Sequence, residues 1–350
     1  MKIEAAILLK SKKIILKKLE IPELKRGQVL VRVIYSGICR SQLMEFEGKR
    51  GKDKWLPHLF GHEASGIVKD FGPGVTKVKK GSKVILTWIK SKGLDSAPPE
   101  YQLNKKKINA GKITTFSNYT IVSENRLVIK PKNLTFKEAA LYGCAFLTGA
   151  GLVLNKLRNI NRKKIICVYG LGGIGLSALT MLSSLNFKNI VAIDNNINKL
   201  ELAKKIGCTL TINSHKNNVK EAITKKFNKL ADICVEAGGS ANTIEKSFDI
   251  ISSSKGKLIF SSHPPANQKI KIYPHELISG KTIIGSWGGS SKPDRDVNKI
   301  YELIKNKQRF LFFNGTKVYK LSEIKDGFKD LKKGTIFRPL IKIKKKNNFN

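Results

Sequence analysis

Acidic side chains are scarce in this sequence. Its 350 residues include 26 Asp and Glu against 66 Lys and Arg, so the formal net charge at pH 7 is +40. Such a charge suits an anionic partner, namely nucleic acid, an anionic membrane surface or a phosphorylated substrate, and it attracts small anions in any case. The lysines are nevertheless spread along the whole chain, and no zinc finger or RNP aromatic motif is present. We therefore interpret the charge as a compositional bias and predict no specific nucleic-acid partner.

Cysteines and long apolar runs are also few. The five cysteines are odd in number and lack the spacing of a disulfide framework, so reduced thiols in a reducing compartment are the simplest interpretation. No apolar run approaches the length of a membrane span. The N-terminal segment MKIEAAILLKSKKIILKK is charged throughout and lacks the apolar core of a signal peptide. We expect a cytoplasmic protein, and its length predicts two domains.

The stretch Ile165–Asp194 carries the strongest pattern in the chain. It begins with the short apolar run Ile165–Tyr169, which predicts a buried strand. The run leads into Gly170–Gly175, a G-x-G-x-x-G match, and then into the predicted helix Leu176–Leu185. A second predicted strand ends on Asp194. Strand, glycine turn, helix, strand and acidic residue in this order predict a dinucleotide-binding unit.

Each residue of the motif has a physical role in that prediction. Gly170 permits the tight turn, Gly172 lets the pyrophosphate approach the backbone, and Gly175 lets the helix pack against the sheet. The free N–H groups at the helix start favour the phosphate charge. The Asp194 carboxylate accepts from a ribose hydroxyl and repels a 2′-phosphate, which favours NAD over NADP. Lys199 either reaches the same ribose or is an ordinary exposed helix lysine. The predicted NAD contacts here are Gly170, Gly172, Gly173, Gly175, Asp194 and Lys199.

The predicted secondary structure before this unit differs from that after it. Short runs with regular glycines before it, including Gly72–Ile85, are typical of a small β-barrel. The polar segment 88–112 predicts a surface loop, and Lys137–Leu154 predicts a helical stretch broken at Gly143. After Asp194, strands alternate with helices, which predicts a doubly wound parallel sheet. The polar tail Lys344–Asn350 is expected to fray.

Four motifs, in order along nearly the whole chain, resemble those of the zinc-dependent medium-chain alcohol dehydrogenase family. The segment Gly61–Gly66, GHEASG, looks like the family's G-H-E-x-x-G signature. The segments Gly37–Ser41 (GICRS) and Leu141–Gly149 (LYGCAFLTG) resemble the segments that carry its first and third metal ligands. Gly170–Gly175 fits its coenzyme motif.

The resemblance implies a catalytic zinc bound by Cys39, His62 and Cys144. The chemistry of these donors agrees, because two thiolates and one imidazole leave a fourth tetrahedral position for water or substrate. The remaining cysteines are interpreted as packing or structural residues: Cys167, Cys208 and Cys234.

The resemblance also implies roles for four further residues. Glu63 either assists ligand exchange at the metal or only balances its charge. Ser41 matches the hydroxyl that takes the alcohol proton. Arg40 matches an arginine that pairs with the cofactor pyrophosphate. Arg338 matches a second phosphate-binding arginine, the alternative being a surface arginine.

Some positions depart from the family pattern. Gln42 stands where an aspartate often supports the histidine ligand, and Met44 stands where a histidine often passes the proton to solvent. The proton route beyond Ser41 is therefore open, with His58 a candidate by sequence nearness alone. Residues 81–112, where the family's four-cysteine structural zinc lobe is expected, contain no cysteine. Segment 88–112 either shapes the substrate cleft or a subunit contact, or is an idle surface loop.

These observations lead to one prediction and two alternatives. The predicted fold is α/β, with a GroES-like β-barrel catalytic domain at 1–145 and 287–350 plus a doubly wound parallel Rossmann sheet at 146–286. The predicted activity is hydride transfer between an alcohol, such as a polyol or sugar derivative, and NAD. It would use one catalytic zinc per chain in a homo-oligomer, a dimer or tetramer. The alternatives are a zinc-free NAD(P)H enone or quinone reductase of the same superfamily and a nucleic-acid-binding protein on a dehydrogenase scaffold.

Overall fold

The computed structural model describes residues 2–305, 315–334 and 336–343. Within these ranges the chain forms two compact units. The first unit comprises 2–144, 292–298, 315–334 and 336–343, and the second comprises 145–291 and 299–305. The domain limits predicted from the sequence stay a prediction, and the tail Lys344–Asn350 lies outside the described residues.

The first unit opens with ten strands and two helices. The strands are β1 (Lys2–Lys10), β2 (Lys13–Glu20), β3 (Gln28–Gly37), β4 (His58–Leu59), β5 (Glu63–Phe71), β6 (Lys83–Thr87), β7 (Tyr101–Leu103), β8 (Lys106–Ile108), β9 (Tyr119–Ser123) and β10 (Leu127–Ile129). The helices are α1 (Arg40–Phe46) and α2 (Phe136–Tyr142).

The second unit alternates helices and strands. Its helices are α3 (Ala145–Leu152), which continues into a π-helical turn at Val153–Leu157, then α4 (Gly173–Ser184), α5 (Ile197–Ile206), α6 (Val219–Phe227), α7 (Ala241–Asp249) and α8 (Pro274–Ile278). Its strands are β11 (Ile165–Tyr169), β12 (Asn189–Asp194), β13 (Leu210–Asn213), β14 (Ile233–Glu236), β15 (Lys257–Phe260) and β16 (Thr282–Gly285).

The six strands of the second unit form one parallel sheet. Their order is β13-β12-β11-β14-β15-β16, so the order reverses at β11, the first of these strands in the chain. All five residues of β11 are buried, as expected for a parallel sheet that is covered on both faces. This is the strand order of a doubly wound Rossmann sheet, and it confirms the fold class predicted for this part of the chain.

The remaining elements are α9 (Pro293–Ile304), β17 (Val318–Tyr319), α10 (Ile324–Lys333) and β18 (Leu340–Lys342). The last three belong to the first unit. There β3 is central: β5 pairs along most of its length, β9 pairs with its early part, and β18 pairs with its end, Gly37 facing Leu340. The full sheet runs β10-β6-β5-β3-β18-β17, while β2-β1-β4 and β7-β8 form smaller sheets. The apolar interior of this unit lies on strands such as β3 and β5, whose buried side chains include Val31 and Val68.

Three local predictions were wrong. Segment 88–112 is not entirely a loop, because β7 and β8 form an antiparallel hairpin whose turn residues Asn104 and Lys105 have positive φ. The hairpin strands are too short for their alternation to stand out in the sequence. Gly72–Ile85 was read as a series of short strands, but only β6 forms there. Helix α4 begins at Gly173 rather than Leu176, because the last two glycines of the motif already lie in its first turn.

In the described part of the chain, no single helix is both long enough and apolar enough to cross a membrane.

Candidate metal centre and nucleotide site

Cys39 is held at the start of α1. Its thiol is buried, and its backbone N–H donates to Oε1 of Gln42 at 2.7 Å. Gln42, which departs from the family pattern, therefore caps the first turn of α1 and fixes the backbone that carries the thiol. This role for Gln42 was missed from the sequence, although a glutamine three residues after a helix start is a capping signal.

His62 lies in the link between β4 and β5. The preceding Gly61 has φ +97°, and a Cβ there would lie 2.5 Å from Oγ1 of Thr115. The following carbonyl, that of Glu63, accepts from the Ser36 hydroxyl at 3.0 Å. A glycine is therefore required before His62, and the hydrogen bond from β3 fixes the backbone after it.

Cys144 follows directly after α2 and the C-cap residue Gly143. Helix α2 starts with a capping box, in which the Thr135 N–H donates to Glu138 Oε2 at 3.0 Å. At its other end, the Thr87 hydroxyl at the end of β6 donates to the Gly143 carbonyl at 2.7 Å. A Cβ at residue 143 would overlap the Leu86 carbonyl, so glycine allows α2 to end close against β6. These contacts set the position of Cys144.

The three predicted ligands come together within the first unit. Donor atoms of Cys39, His62 and Cys144 all lie within 4.8 Å of one another, and the two sulfurs are 3.9 Å apart. A disulfide needs about 2.05 Å, whereas two sulfurs bound to one tetrahedral zinc at about 2.3 Å lie about 3.8 Å apart. Nε2 of His62 is buried, and the described residues offer it no hydrogen-bond partner. The geometry fits a metal ion with two thiolates and one imidazole.

The pKa shifts of the two thiols are also compatible with a metal site. A hydrogen bond from Cys144 lowers the pKa of Cys39 against the effect of burial, and the nearby Arg338 and His62 lower it further. The same hydrogen bond, together with burial, raises the pKa of Cys144. The two shifts are opposite because a thiolate at one sulfur disfavours a thiolate at the other, and a divalent cation would stabilise both.

A buried ion pair lies beside the thiols. The guanidinium of Arg338 is 2.6 Å from Oε1 of Glu63, and their side chains are 4% and 0% exposed. Burial raises the pKa of Glu63 to about 7, although Arg338 opposes the shift. Nearby negative groups, Cys39 first, raise the pKa of Arg338 against the effect of burial. Arg338 is thus an internal residue rather than a surface one, and its predicted contact with a cofactor phosphate stays a prediction.

The other predicted residues of this region lie on α1. Arg40 is exposed and Ser41 is half-buried, and both are in the first turn, directly after Cys39. Met44 is buried in the same helix. Their predicted roles in cofactor binding and proton transfer stay predictions.

The glycine motif forms the turn between β11 and α4 in the second unit. Gly170 has φ +91°, and a Cβ there would lie 2.5 Å from Gly238. A Cβ at Gly175 would overlap the Gly170 carbonyl, so this position is needed for close packing of helix on strand. At Gly172 nothing lies within 4 Å of an added Cβ, which leaves open space at the N-terminus of α4, whose first residue is Gly173. Open space at a helix N-terminus suits a phosphate group.

Asp194 ends β12 next to this turn. Its carboxylate accepts from the backbone N–H groups of Leu171 at 2.6 Å and Asn196 at 2.9 Å. Lys199 Nζ lies 3.5 Å from the same carboxylate. The structure therefore brings Asp194 and Lys199 together beside the glycine turn, where a carboxylate retains lone pairs for a sugar hydroxyl.

Sequence reasoning missed one neighbour of the predicted ligands. The ring of Trp88, directly after β6, is 6.4 Å from the His62 ring in an edge-on arrangement. An aromatic side chain this close to His62 adds apolar surface beside the predicted ligands. Its only sequence signal was its place after an apolar strand, at the start of a segment read as a loop.

Comparisons with known proteins agree with this geometry. The family model described as "Alcohol dehydrogenase GroES-like domain" matches residues 25–132, and the one described as "Zinc-binding dehydrogenase" matches residues 173–306. Alcohol dehydrogenase 2 of Oryza sativa subsp. japonica is 26% identical over 344 residues, covering 90% of each chain.

Solved structures give the same result. Benzyl alcohol dehydrogenase from Acinetobacter calcoaceticus is 27% identical with a TM-score of 0.87, covering 98% of this chain and 100% of that one. An alcohol dehydrogenase zinc-binding domain protein from Burkholderia ambifaria, 24% identical with a TM-score of 0.89 and covering 99% and 100%, supports the fold alone. GroES-like and Rossmann parts are thus both present, and this chain belongs to the zinc-type medium-chain alcohol dehydrogenase family.

Proposed function

We propose that this oxidoreductase uses a catalytic zinc and NAD to transfer a hydride between an alcohol and the nicotinamide. The observation that carries the proposal is the cluster of two buried thiols, 3.9 Å apart, and the buried Nε2 of His62 without a hydrogen-bond partner. One imidazole and two thiolates leave one tetrahedral position open, which is the donor set of a catalytic zinc.

Zinc at this position would lower the pKa of a bound alcohol hydroxyl. The residues of the chain would hold the ion, accept the proton and control the approach of substrate. Cys39, His62 and Cys144 hold the ion, and Ser41 takes the proton that the alcohol releases. Glu63 and Arg338 form a buried ion pair behind the ligands and stabilise their charge. Trp88 restricts the approach of substrate.

NAD would supply the hydride acceptor, whose chemistry is its own. The open space at Gly172 and the N-terminus of α4 would receive the pyrophosphate. Asp194, with Lys199 beside it, would accept from the adenosine ribose and disfavour a 2′-phosphate. Arg40 and Arg338 would contribute positive charge to the phosphates. A polyol or sugar derivative is the substrate class we propose, since the chain lacks the cysteines of the structural zinc lobe.

The test removes the ligands one at a time. Cys39→Ser and His62→Ala should each lose about one zinc per chain, measured by elemental mass spectrometry, and lose alcohol oxidation. Both should keep NADH binding, measured by fluorescence titration. Cys208→Ser is the matched control, because this thiol lies in the second unit, and it should keep both zinc and turnover.

Unchanged turnover in both ligand variants would refute the zinc role. A wild-type protein that binds NADH but no zinc at this cluster would favour the zinc-free enone or quinone reductase. Saturable RNA or DNA binding of defined stoichiometry that survives physiological salt would favour the nucleic-acid alternative.

We also propose that the chain forms a homo-oligomer through its parallel sheet. Among the described strands, β16 pairs only with β15, so its other edge is available. Large apolar side chains near this edge are exposed: Tyr273 at 78%, Ile278 at 82% and Trp287 at 73%. A second copy could extend the sheet and cover them. The Thr282 N–H donates to the Gly256 carbonyl within the sheet, so the N–H of the next residue, Ile283, points to the free edge. Sedimentation should show a dimer or tetramer, and Ile283→Pro should shift it toward monomer, whereas an unchanged sedimentation coefficient would contradict this pairing.

A cytoplasmic location fits the cysteines. All five are free thiols, four of them buried, and none is paired in a disulfide. Cell fractionation followed by thiol labelling of the intact protein tests this proposal, and a disulfide-linked form recovered from cells would contradict it.

A further inference from the structure

A second group of metal-binding side chains lies in the first unit, apart from the cysteine cluster. It consists of Glu45 in α1, Asp53 in the following loop and His58 at the start of β4. One donor atom of each lies within 4.8 Å of the other two. None of these side chains has a role in the proposed hydride transfer, so this inference goes beyond that function.

The histidine ring is oriented by a contact outside the group. Nδ1 of His58 is 2.9 Å from the backbone carbonyl oxygen of Leu59. Because a carbonyl only accepts hydrogen bonds, Nδ1 must carry a proton. Metal-binding histidines are commonly fixed in this way, with one ring N–H donated to a carbonyl and the other nitrogen left for the ion.

The other ring nitrogen faces two carboxylates. Nε2 of His58 is 2.8 Å from Oδ2 of Asp53 and 3.8 Å from Oε1 of Glu45. A neutral Nε2 would direct its lone pair at these oxygens, which is unfavourable unless a cation lies among them. That cation is either a proton on Nε2 or a metal ion held by all three side chains.

The spacing and chemistry of the donors fit a metal ion. Zinc lies about 2.0–2.2 Å from imidazole nitrogen and carboxylate oxygen, so neighbouring donors in a tetrahedral site are about 3.3 Å apart. The two distances from Nε2 lie on either side of that value. One imidazole and two carboxylates also suit other divalent first-row metals.

The group is built into the fold and only partly solvated. The side chains of His58, Asp53 and Glu45 are 9%, 27% and 23% exposed. Oδ1 of Asp53 accepts from the Trp55 N–H at 2.9 Å, which leaves Oδ2 for the ion. Strand β4, which carries His58, pairs with β1.

The local charge is compatible with a cation. Burial raises the pKa of Glu45 although His58 and Arg50 oppose the shift, so the surrounding positive charge does not compensate for its burial. Burial also acts to raise the pKa of Asp53, but the Trp55 N–H and His58 outweigh it and the pKa is lowered. Among the described residues, Arg50 is the one arginine that lowers the pKa of both carboxyl groups, so the two carboxylates outnumber it.

We propose that Glu45, Asp53 and His58 bind a second divalent transition-metal ion of the Zn²⁺ type. The ion would be separate from the one proposed at Cys39, His62 and Cys144. It would join α1, the loop after it and β4 through one centre.

The experiment counts metal in the full-length protein. Wild type, Asp53→Asn, Cys39→Ser and the double variant are saturated with Zn²⁺, desalted, and analysed by elemental mass spectrometry. We expect about two zinc ions per chain in wild type, about one in each single variant and none in the double variant. Glu100→Gln removes an exposed carboxylate of the same unit and should leave the content at about two. His58→Gln, checked by circular dichroism for an intact fold, should match Asp53→Asn.

Cobalt distinguishes the two centres by spectroscopy. With Co²⁺ in place of Zn²⁺, Asp53→Asn should keep the intense thiolate-to-metal charge-transfer band of the cysteine centre and lose only the weaker bands of the nitrogen and oxygen centre. Cys39→Ser should weaken the charge-transfer band.

Two results would overturn the proposal. One is a single zinc per chain in wild type that Cys39→Ser removes, and the other is an Asp53→Asn variant with the wild-type content. In both cases Nε2 holds only a proton, and the group is a histidine–carboxylate ion pair. Zinc that is lost in Asp53→Asn but unchanged in Cys39→Ser would support the second centre while contradicting the proposed catalytic one.

Discussion

Replacing Glu124 with alanine should reduce the free energy of unfolding of the first unit by about 3–5 kcal/mol. Oε1 of Glu124 accepts from the backbone N–H groups of Thr76 and Lys77, both at 2.7 Å, and Oε2 accepts from that of Leu94 at 2.6 Å. The residue is 0% exposed. One carboxylate therefore holds two loops together, including the start of segment 88–112.

The magnitude follows from the three contacts. A buried donor left without its acceptor costs about 1–3 kcal/mol, and a hydrogen bond to a charged group contributes about 1.5–3 kcal/mol. Summed over the three donors, these values give an upper limit for the loss of stability. Water that enters beside the exposed parts of the loops would replace some of the lost hydrogen bonds and reduce that loss. Glu124→Gln keeps one acceptor oxygen and should cost roughly half as much. Glu100→Ala, an exposed carboxylate in segment 88–112, should change stability by about 0.5 kcal/mol or less.

Amide hydrogen exchange, read by mass spectrometry on peptides that contain Thr76 and Leu94, measures this local stability without assuming two-state unfolding of the whole chain. Exchange in these peptides should accelerate in Glu124→Ala and not in Glu100→Ala. Equal protection in the two variants would refute the reasoning, because the three hydrogen bonds would then contribute nothing.

The same carboxylate makes the loops sensitive to acid. Burial alone would raise the pKa of Glu124, but the N–H groups of Leu94, Lys77 and Thr76 outweigh it and lower the pKa. A lowered folded-state pKa means that the stabilisation is complete above the unfolded value of about 4.3 and is lost as the pH falls through the folded value. Protection, corrected for intrinsic rates, should therefore fall below about pH 4 in wild type and stay level in Glu124→Gln. An equal loss in both proteins would contradict this assignment.

Three further outcomes are expected. Gly175→Ala places a Cβ against the Gly170 carbonyl and should weaken NADH binding by about tenfold or more in a fluorescence titration, whereas unchanged affinity would contradict the packing role of this glycine. Asp194→Ala removes the acceptor of the Leu171 N–H and the repulsion of a 2′-phosphate, so the ratio of kcat/KM for NAD to that for NADP should fall by about tenfold, and an unchanged ratio would contradict the ribose role. Burial raises the pKa of Cys208 to about 12, so iodoacetamide at pH 8 should label it much more slowly in the native protein than in urea, and equal rates would contradict its burial.

The second unit was the most predictable part of the fold. The alternation of strands and helices predicted after Asp194 is present, for example in α6 (Val219–Phe227) and β15 (Lys257–Phe260), because apolar strands and amphipathic helices leave a local pattern there. Strand β16 was not identified, since the mostly exposed Thr282–Gly285 lacks the apolar run of a central strand. The β7–β8 hairpin was missed for a related reason: only three residues form each strand, and its turn is Asn104-Lys105 rather than a glycine pair.

In the candidate sites, the sequence predicted which residues lie close together only where those residues belong to family motifs. Cys39, His62 and Cys144 were grouped because each lies in a motif of the family, and the structure brings their donor atoms together. The pairing of Glu63 with Arg338 has no such signal, because two side chains far apart in sequence meet only after β18 pairs with β3. The roles of these residues in catalysis stay predictions.

The strand pairing of the first unit determines when that unit can be completed during synthesis, because β3 pairs with the late strand β18. The backbone N–H of Ile38, next to Cys39, donates to the carbonyl of Pro339 at 2.9 Å, and the Glu63 carboxylate meets its guanidinium partner at residue 338. When the ribosome has made residues 2–144, both the end of β3 and this carboxylate still lack their partners. Most of the second unit, 145–291, is contiguous and emerges complete before them, and domains generally fold as units during translation. The proposed metal ligands of the first 144 residues therefore acquire their final surroundings only after residue 338 has been made.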